Sequence, residues 1–479
     1  MRNRLALIGI AAGLVATACG SRLPGRVLDR IDAGQSNRAG SAAAGSGSQG
    51  ASTEETNPLS TAGNGAVTPG QPQRAAGAAQ AVAGAPGSAG QAGAQAQTNA
   101  ACRGGASAQG VTPNEIKVGT MVTASGPLPG ATEGQYRGTA AYLAMINSQG
   151  GICGRKITAI EGDDGLDPQR ARAEFTRIEP QVFAFVGSLS VADSGFLDLL
   201  KSTGIPYLGV VVDPSGRDYP NVEPRGPPRT VRTGPFVYYK QAHPDANRVG
   251  FLYTDVAGVR VNTPGAEAAI RKVGYTIAYG PSGANATAPD YTAEVINMER
   301  NQVNFVYLFA FEVNMEVRLA RNMRQQNFEP ALKINSIGYN SELIGLLGDV
   351  ANGWTQDITY RPVLNQDELQ SDPNLRTFND WNKRVFPNAQ VDLFPVNGWG
   401  AADLFAKALR IVGPAPTWAS LLGAIDNKIP SWDNGGLTGA SKPGQGSPCF
   451  IVVKVVNQRW VREHPSSGFE CSLGELLHY

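Results

Sequence analysis

The 479-residue sequence has only three histidines and almost no excess of charge. Lys and Arg number 41 against 40 Asp and Glu, which gives a net charge of +1 at pH 7. A protein that binds nucleic acid through its phosphates carries an excess of basic residues, so the sequence predicts no nucleic-acid partner. The shortage of histidine also argues against a Ser–His–Asp triad.

The common catalytic motifs are absent as well. We find no GxSxG, no HExxH, no phosphate-binding loop and no GxGxxG after a predicted strand. The acidic run at residues 163–168 lacks the alternating oxygen ligands and the final Glu of a calcium loop, so we interpret it as a turn that leads into a helix. The sequence therefore predicts a protein that is not an enzyme and that uses no cofactor and no metal ion.

Aromatic residues are missing from the first 135 positions, and the first one is Tyr136. Residues 33–110 consist mainly of Ala, Gly, Ser, Gln and Thr, a composition typical of a flexible coil. Such a segment cannot bury enough apolar surface to build a core. We therefore predict a disordered tether at residues 19–110 and a folded part from residue 111 onwards.

The N-terminal residues have the pattern of an export signal. Arg2 and Arg4 precede an apolar run at residues 5–15, and small residues then lead to Cys19. The run is shorter than the roughly 20 residues that a membrane-spanning helix needs. A cysteine after small residues resembles a bacterial lipobox, which implies a signal peptide at residues 1–18 and lipid attachment to Cys19. A plain secretory signal with an incidental cysteine is the alternative.

Five cysteines occur, and setting aside the lipid-attached one leaves an even number. Export favours structural disulfides. We predict the pairs Cys102–Cys153 and Cys449–Cys471, because each closes a short loop within one region. Metal binding is the alternative, but the absence of a CxxC motif and the scarcity of histidine count against it.

From residue 111 the sequence alternates short apolar runs with amphipathic stretches. The runs are typical of buried parallel strands, and they lie at residues 116–122, 182–186, 207–212, 249–253, 305–309 and 332–337. One amphipathic stretch predicts a helix in which Tyr136, Ala140, Leu143 and Ile146 share a face. This alternation predicts an α/β architecture, and the length from residue 111 onwards predicts two lobes rather than one core.

Two further patterns concern packing and the C-terminal region. Met315, Leu319 and Met323 recur at intervals of four, which indicates one buried helix face rather than a cofactor site. Near the C-terminus, two apolar runs flank Asn457-Gln458, and this predicts an antiparallel hairpin.

Two segments carry a more specific resemblance. Residues 110–130 read GVTPNEIKVGTMVTASGPLPG, and residues 146–171 read INSQGGICGRKITAIEGDDGLDPQRA. Both resemble the leucine/isoleucine/valine-binding family of periplasmic binding proteins. Later landmarks follow in the family's order, namely AFVGSLS, GIPYLG, FVYL and NGWGAADLFAKAL. The resemblance implies the type I fold, in which a three-crossover hinge joins two Rossmann-like lobes and a ligand binds in the cleft between them.

The resemblance places lobe 1 at residues 111–233 and 359–446, and lobe 2 at residues 234–358 and 447–479. It implies an extracytoplasmic solute receptor of an ABC importer that captures a small molecule by hinge closure. Its expected partners are that molecule, a permease in the cytoplasmic membrane and, through the lipid anchor, the outer face of the cell membrane. A sensory receptor with the same fold is one alternative. A cell-wall-associated structural protein is another, and it would lack a closable polar cleft.

The expected lobe-1 site follows two of the predicted strands. After the strand at residues 182–186, Ser190 has the position of a helix N-cap with Asp193 three residues later, and helix N-termini bind carboxylates. The resemblance therefore assigns Ser188, Leu189 and Ser190 to the ligand carboxylate. After the GIPYLG strand it assigns Val211 and Asp213, although Asp213 is equally suited to capping a turn with Pro214.

The expected lobe-2 site departs further from the family. Phe311 has the position of the family's aromatic residue, and Tyr339 is either a lid over the ligand or a packing residue. The family's amine-binding carboxylate has no counterpart after the strand at residues 332–337, which leaves Asp213 or Glu312 as its replacement. This departure argues against a zwitterionic aliphatic amino acid and leaves amides, urea and other small polar ligands open.

Overall fold

The computed structural model describes residues 108–224, 229–444 and 447–479. The predicted signal peptide, Cys19, Cys102 and nearly all of the predicted tether lie outside the described residues. Over the described ranges, none of the helices combines the length and the apolar composition needed to cross a membrane.

The first sheet has five parallel strands in the order β2-β1-β3-β4-β5. The strands are β1 (Glu115–Val122), β2 (Lys156–Asp163), β3 (Ala184–Leu189), β4 (Tyr207–Val210) and β5 (Val222–Glu223). Helices alternate with them, namely α1 (Gly134–Ser148), α2 (Pro168–Ile178) and α3 (Leu197–Thr203). The segment at residues 163–168 is a turn into α2, as predicted, and Asp167 caps that helix by accepting a hydrogen bond from the Arg170 amide.

The second sheet has seven strands in the order β13-β12-β11-β10-β9-β7-β8. A short strand β6 (Thr230–Arg232) precedes them, and they are β7 (Arg248–Thr254), β8 (Thr276–Ala284), β9 (Phe305–Phe309), β10 (Leu332–Asn335), β11 (Trp354–Ile358), β12 (Ile451–Val456) and β13 (Arg459–His464). The last strand, β14 (Leu476–His478), pairs with β6. The intervening helices are α4 (Gly234–Ala242), α5 (Ala257–Arg260), α6 (Thr263–Lys272), α7 (Thr292–Arg300), α8 (Val313–Gln325) and α9 (Leu343–Leu347).

The chain passes between the two sheets three times. After β11 it returns to the first sheet through α10 (Gln366–Ser371), α11 (Pro373–Val385), α12 (Leu393–Val412) and α13 (Trp418–Lys428), and it then crosses back to form β12. Helices α11 and α12 pack on α1, and α12 also packs on β3 and β4. The predicted α/β fold with two lobes and three crossovers is confirmed. Lobe 1 here denotes the first sheet with its helices and α10–α13, and lobe 2 denotes the second sheet with its helices.

The predicted strands agree with the structure where an apolar run is continuous, as in β1 and β9. Strand β3 begins at Ala184 and ends at Leu189, and β4 and β10 each end two residues before the predicted limit. The sequence did not predict β2 or β8. Both lie at sheet edges and are partly exposed, so they lack the continuous apolar run of a buried strand.

Three local predictions are confirmed. Strands β12 and β13 form an antiparallel hairpin whose two turn residues, Asn457 and Gln458, both have a positive φ, as tight two-residue turns require. The Met315, Leu319 and Met323 side chains are buried in the main core cluster on α8. Cys449 and Cys471 are joined by a disulfide.

Helices α1 and α12 meet through their backbones near their N-terminal ends. A Cβ atom on Gly138 would lie 1.9 Å from the Pro395 carbonyl oxygen, and one on Gly398 would lie 2.0 Å from the Gln135 carbonyl oxygen. The Thr139 hydroxyl donates across the junction to the Gly398 carbonyl oxygen at 3.2 Å. This close approach holds the first turns of both helices at the carboxyl edge of the first sheet.

Candidate ligand-binding cleft

The carboxyl ends of the two sets of parallel strands face each other across a cleft. The side-chain amide of Asn262, after α5, donates to the Val212 carbonyl oxygen, after β4, at 3.0 Å. The Arg217 guanidinium donates to the side-chain oxygen of Asn262 at 2.6 Å. On a second rim, Gln390 of lobe 1 hydrogen-bonds to Ser341 and Glu342 of lobe 2. In doubly wound sheets ligands bind beyond the carboxyl ends of the strands, so this cleft is the candidate site.

The carboxylate of Asp164 hydrogen-bonds to Ser190 in the loop that follows β3 in lobe 1. Asp164, fully buried, accepts hydrogen bonds from the Ser190 hydroxyl, from the Thr123 hydroxyl at 2.9 Å and from the Leu166 amide at 2.7 Å. Burial raises the pKa of Asp164, although these hydrogen bonds act in the opposite direction. The network ties the carboxyl ends of three strands of the first sheet together.

The prediction that Ser190 caps a helix with Asp193 three residues later is wrong. Helix α3 begins only at Leu197, after a short 3-10 turn, and the Ser190 hydroxyl is directed to Asp164. The long-range hydrogen bond to a buried carboxylate is stronger than the local capping pattern, because it satisfies a charge that would otherwise be desolvated.

A second internal carboxylate joins the β3 loop to the β4 loop. Asp193 is buried and accepts from the Val212 amide at 2.6 Å and from the Asp213 amide at 3.2 Å. Burial raises the pKa of Asp193 to about 7. Asp213 itself caps the short turn that follows, since its carboxylate accepts from the Ser215 amide at 2.9 Å.

The other lobe-1 residues of the predicted site differ in accessibility. Ser188 is buried and accepts from the Met121 amide at 2.9 Å, and the Leu189 carbonyl oxygen accepts from the Thr132 hydroxyl at 2.7 Å. Val211 lines a cavity of about 380 Å³, whose wall also includes Gly209, Val210, Arg217, Asn397 and Trp432. Val211 is therefore the member of the predicted lobe-1 set that the structure places beside an open volume.

The predicted lobe-2 residues lie in the core. Phe311 is buried beside the Tyr291 ring, with ring centres 6.0 Å apart. Tyr339 is buried, its hydroxyl accepts from the Leu364 amide at 2.7 Å, and its ring packs edge-on against Trp460. Glu312 caps α8 by accepting from the Asn314 amide at 3.0 Å. Of the two roles predicted for Tyr339, a lid over the ligand or a packing residue, the structure shows the packing role.

Reasoning from the sequence missed a second cavity, of about 200 Å³, at the carboxyl ends of β9, β10 and β11. Its lining includes Arg232 from β6, Asp357 from β11, Phe309, Ser336 and, from lobe 1, Leu393. Burial lowers the pKa of Arg232 and raises the pKa of Asp357, and the attraction between the two charges opposes both shifts. The signal that could have indicated this site is that Arg232 and Asp357 are charged residues directly before two of the predicted lobe boundaries.

The two cavities adjoin the same helix. Leu393, the first residue of α12, lines the smaller cavity, and Asn397, one turn later, lines the larger one. Within the described ranges, no group of three or more His, Cys, Asp or Glu side chains is arranged to hold a metal ion.

Comparison with known proteins agrees with this architecture. A family model described as periplasmic binding protein matches residues 115–459. The chain belongs to the periplasmic binding protein family. The resemblance to its leucine/isoleucine/valine-binding members is confirmed by the leucine-specific-binding protein of Salmonella typhimurium, which is 24% identical over 259 residues, 51% of this chain and 67% of the relative.

Solved structures of periplasmic binding proteins share the fold. The fatty acid ABC transporter substrate-binding protein from Thermomonospora curvata has a TM-score of 0.65 at 18% identity, covering 77% of this chain and 95% of its own. A branched chain amino acid ABC transporter from Thermus thermophilus with bound valine has a TM-score of 0.63 at 15% identity, covering 75% of this chain and 97% of its own.

Proposed function

We propose that this periplasmic binding protein is the extracytoplasmic solute receptor of an ABC importer. It captures a small polar ligand, such as a branched-chain amino acid, an amide or a related compound, and delivers it unchanged to a permease in the cytoplasmic membrane. The observation that carries the proposal is the interlobe cleft with two cavities, both lined in part by α12, at the carboxyl ends of the strands. The names of the Salmonella and Thermus relatives, which refer to leucine and to valine, support the ligand class.

Closure of the two lobes is the proposed mechanism. Three crossovers join the lobes, and the hydrogen bonds between Asn262 and lobe 1 form only when the rims meet. A ligand that contacts both lobes binds the closed form more tightly than the open form and therefore shifts the population towards closure. The permease would read this closed form. We further propose that the exported chain is held at the outer face of the membrane through a lipid on Cys19.

A thermal-shift screen of the purified full chain tests the proposed function. The panel contains branched-chain and polar amino acids, short amides, urea and small carboxylates. A ligand at 100 times its dissociation constant stabilises the folded state by about 2.7 kcal/mol, which gives a clear rise in Tm. Small-angle X-ray scattering with the same ligand should show a smaller radius of gyration. The absence of any stabilising ligand, or a ligand that leaves the radius unchanged, would count against a closing solute receptor.

We expect that replacing Asn262 weakens ligand binding, although Asn262 is not one of the proposed ligand contacts. Asn262→Ala removes the hydrogen bonds to Val212 and Arg217 across the rim, so we expect the open form to gain population and the affinity to fall about fivefold to tenfold. Asn301→Ala is the matched control, because Asn301 is exposed directly after α7 and its side chain donates only to the nearby Asn297 carbonyl oxygen, at 2.8 Å, among the described residues. Isothermal titration would reject the idea if both variants bound the ligand equally.

A further inference from the structure

Hydrogen-bond donors in the two lobe-1 segments that the resemblance assigns to the ligand, after β3 and after β4, are already engaged. The Ser190 hydroxyl donates to Asp164, and the Val212 and Asp213 amides donate to Asp193. A ligand carboxylate at this place would have to displace two buried acidic side chains and would bring a further carboxylate beside them. Lobe 1 is therefore poorly suited to hold the ligand by an anionic group.

The cation on the lobe-1 side of the cleft is also occupied. Arg217 donates to the carbonyl oxygens of Val211 at 3.0 Å and Val212 at 2.7 Å, and to Asn262 at 2.6 Å. These bonds fix the β4 loop and bridge the lobes. Near these bonds, the apolar side chains of Val210 and Val211 are among those that line the larger cavity.

In the smaller cavity, by contrast, two charged side chains are not engaged with each other. Arg232 and Asp357 both line it, yet no hydrogen bond or ion pair joins these two side chains within the part of the chain that the structure describes. The only side-chain hydrogen bond described for Asp357 is a long one, 3.5 Å, from the Tyr239 hydroxyl. Two opposite charges that are partly withdrawn from water and do not meet are stabilised when a third group bridges them.

We propose, building on the function proposed above, that Arg232 and Asp357 hold the polar head of the ligand, which presents a hydrogen-bond acceptor to the guanidinium and a donor to the carboxylate. The carboxylate and ammonium of an amino acid have this pairing, and so have the oxygen and nitrogen of a primary amide. The ligand then lies with its head on lobe 2 and its apolar part against Phe309 and, from lobe 1, Leu393, which line the same cavity. Asp357 supplies the carboxylate that reasoning from the sequence did not find.

Four probes of similar shape test this arrangement on the full chain by isothermal titration. L-Leucine and 4-methylpentanamide carry both an acceptor and a donor, 4-methylpentanoate lacks the donor, and 3-methylbutylamine lacks the acceptor. We expect the wild type to bind leucine or the amide at least tenfold more tightly than the other two. Tighter binding of leucine would identify a zwitterionic head, and tighter binding of the amide a neutral one.

Two variants assign the contacts. Arg232→Gln should weaken the tighter probe about tenfold or more but change amine binding less than twofold, because the amine has no acceptor for Arg232. Asp357→Asn should weaken the amine and the tighter probe but change 4-methylpentanoate binding less than twofold. Arg361→Gln is the matched control, because this crossover arginine already pairs with Asp372 at 3.0 Å, and it should leave all affinities unchanged.

The outcomes separate this inference from the proposed function. Unchanged affinities in both variants, or an equal loss in Arg361→Gln, would overturn the roles of Arg232 and Asp357 while leaving a working receptor. The same holds if the wild type prefers the probe without a donor or the one without an acceptor. If a variant loses thermal stability but keeps the wild-type order of affinities for the four probes, Arg232 and Asp357 have only a structural role. Failure of the wild type to bind any probe or panel member would contradict the function as well.

Discussion

Gly138→Ala should lower the free energy of unfolding by about 3 kcal/mol, because α1 and α12 touch backbone to backbone at this position. The added Cβ would lie 1.9 Å from the Pro395 carbonyl oxygen, and neither helix backbone can yield as a flexible side chain would. Separation of the helices would also weaken the Thr139 hydrogen bond and the packing of Trp399 on Tyr142. Urea unfolding followed by tryptophan fluorescence measures the loss.

Gly423→Ala is the matched control for this helix substitution. Gly423 lies inside α13, and a Cβ atom there would meet no atom within 4 Å. Alanine has a higher helix propensity than glycine and restricts the unfolded chain, so we expect a gain of about 0.5–1 kcal/mol. Equal effects of the two substitutions would show that helix propensity decides, and that the close approach of α1 and α12 does not.

The sequence predicted those parts of the fold in which a local pattern and the tertiary environment agree. Strand β9 is a continuous apolar run in the middle of a sheet, and the hairpin turn at Asn457-Gln458 has the left-handed backbone expected of its loop length. Strand β11 was missed because polar side chains interrupt its apolar pattern, and one of them, Asp357, lines the smaller cavity.

The site was harder to predict because distant residues decide it. Ser190 has the local sequence of an N-cap, but Asp164, from the end of another strand, takes its hydroxyl. Arg232 on β6 and Asp357 on β11 are far apart in the sequence, and only the three-dimensional fold brings both to one cavity. A resemblance carried position by position cannot show that internal carboxylates occupy the donors that the family reserves for its ligand.

Glu316 offers a buried carboxyl group whose titration should govern stability near neutral pH. Glu316 lies on α8 and is almost fully buried. Its carboxyl group accepts a hydrogen bond at 2.6 Å from the side-chain amide of Asn335, at the carboxyl end of β10. Its second oxygen has no hydrogen-bond partner among the described residues. Burial raises the pKa of Glu316 to about 8, and the nearby charge of Glu312 raises it further.

The sign of the pH dependence follows from this raised pKa. An unfolded chain releases the proton near pH 4.3, whereas the folded chain keeps it up to about pH 8. Between these values the folded state binds more protons, so the free energy of unfolding falls as pH rises, by at most about 1.4 kcal/mol per pH unit. Below pH 4.3 the contribution of Glu316 is fully present, and above pH 8 it is lost.

Glu316→Gln should remove this dependence, since glutamine keeps the acceptor for Asn335 but carries no charge at any pH. We expect the variant to match the wild type within about 1 kcal/mol at pH 5 and to exceed its stability by about 3 kcal/mol at pH 8. Asp193 and Asp392, whose pKa values burial raises to about 7 and about 6, titrate in both proteins and cancel in the difference. The exposed Glu329→Gln is the control, and urea unfolding at pH 5, 6.5 and 8 is the measurement. A difference between Glu316→Gln and wild type that stays constant with pH would mean that Glu316 is already charged in the folded protein.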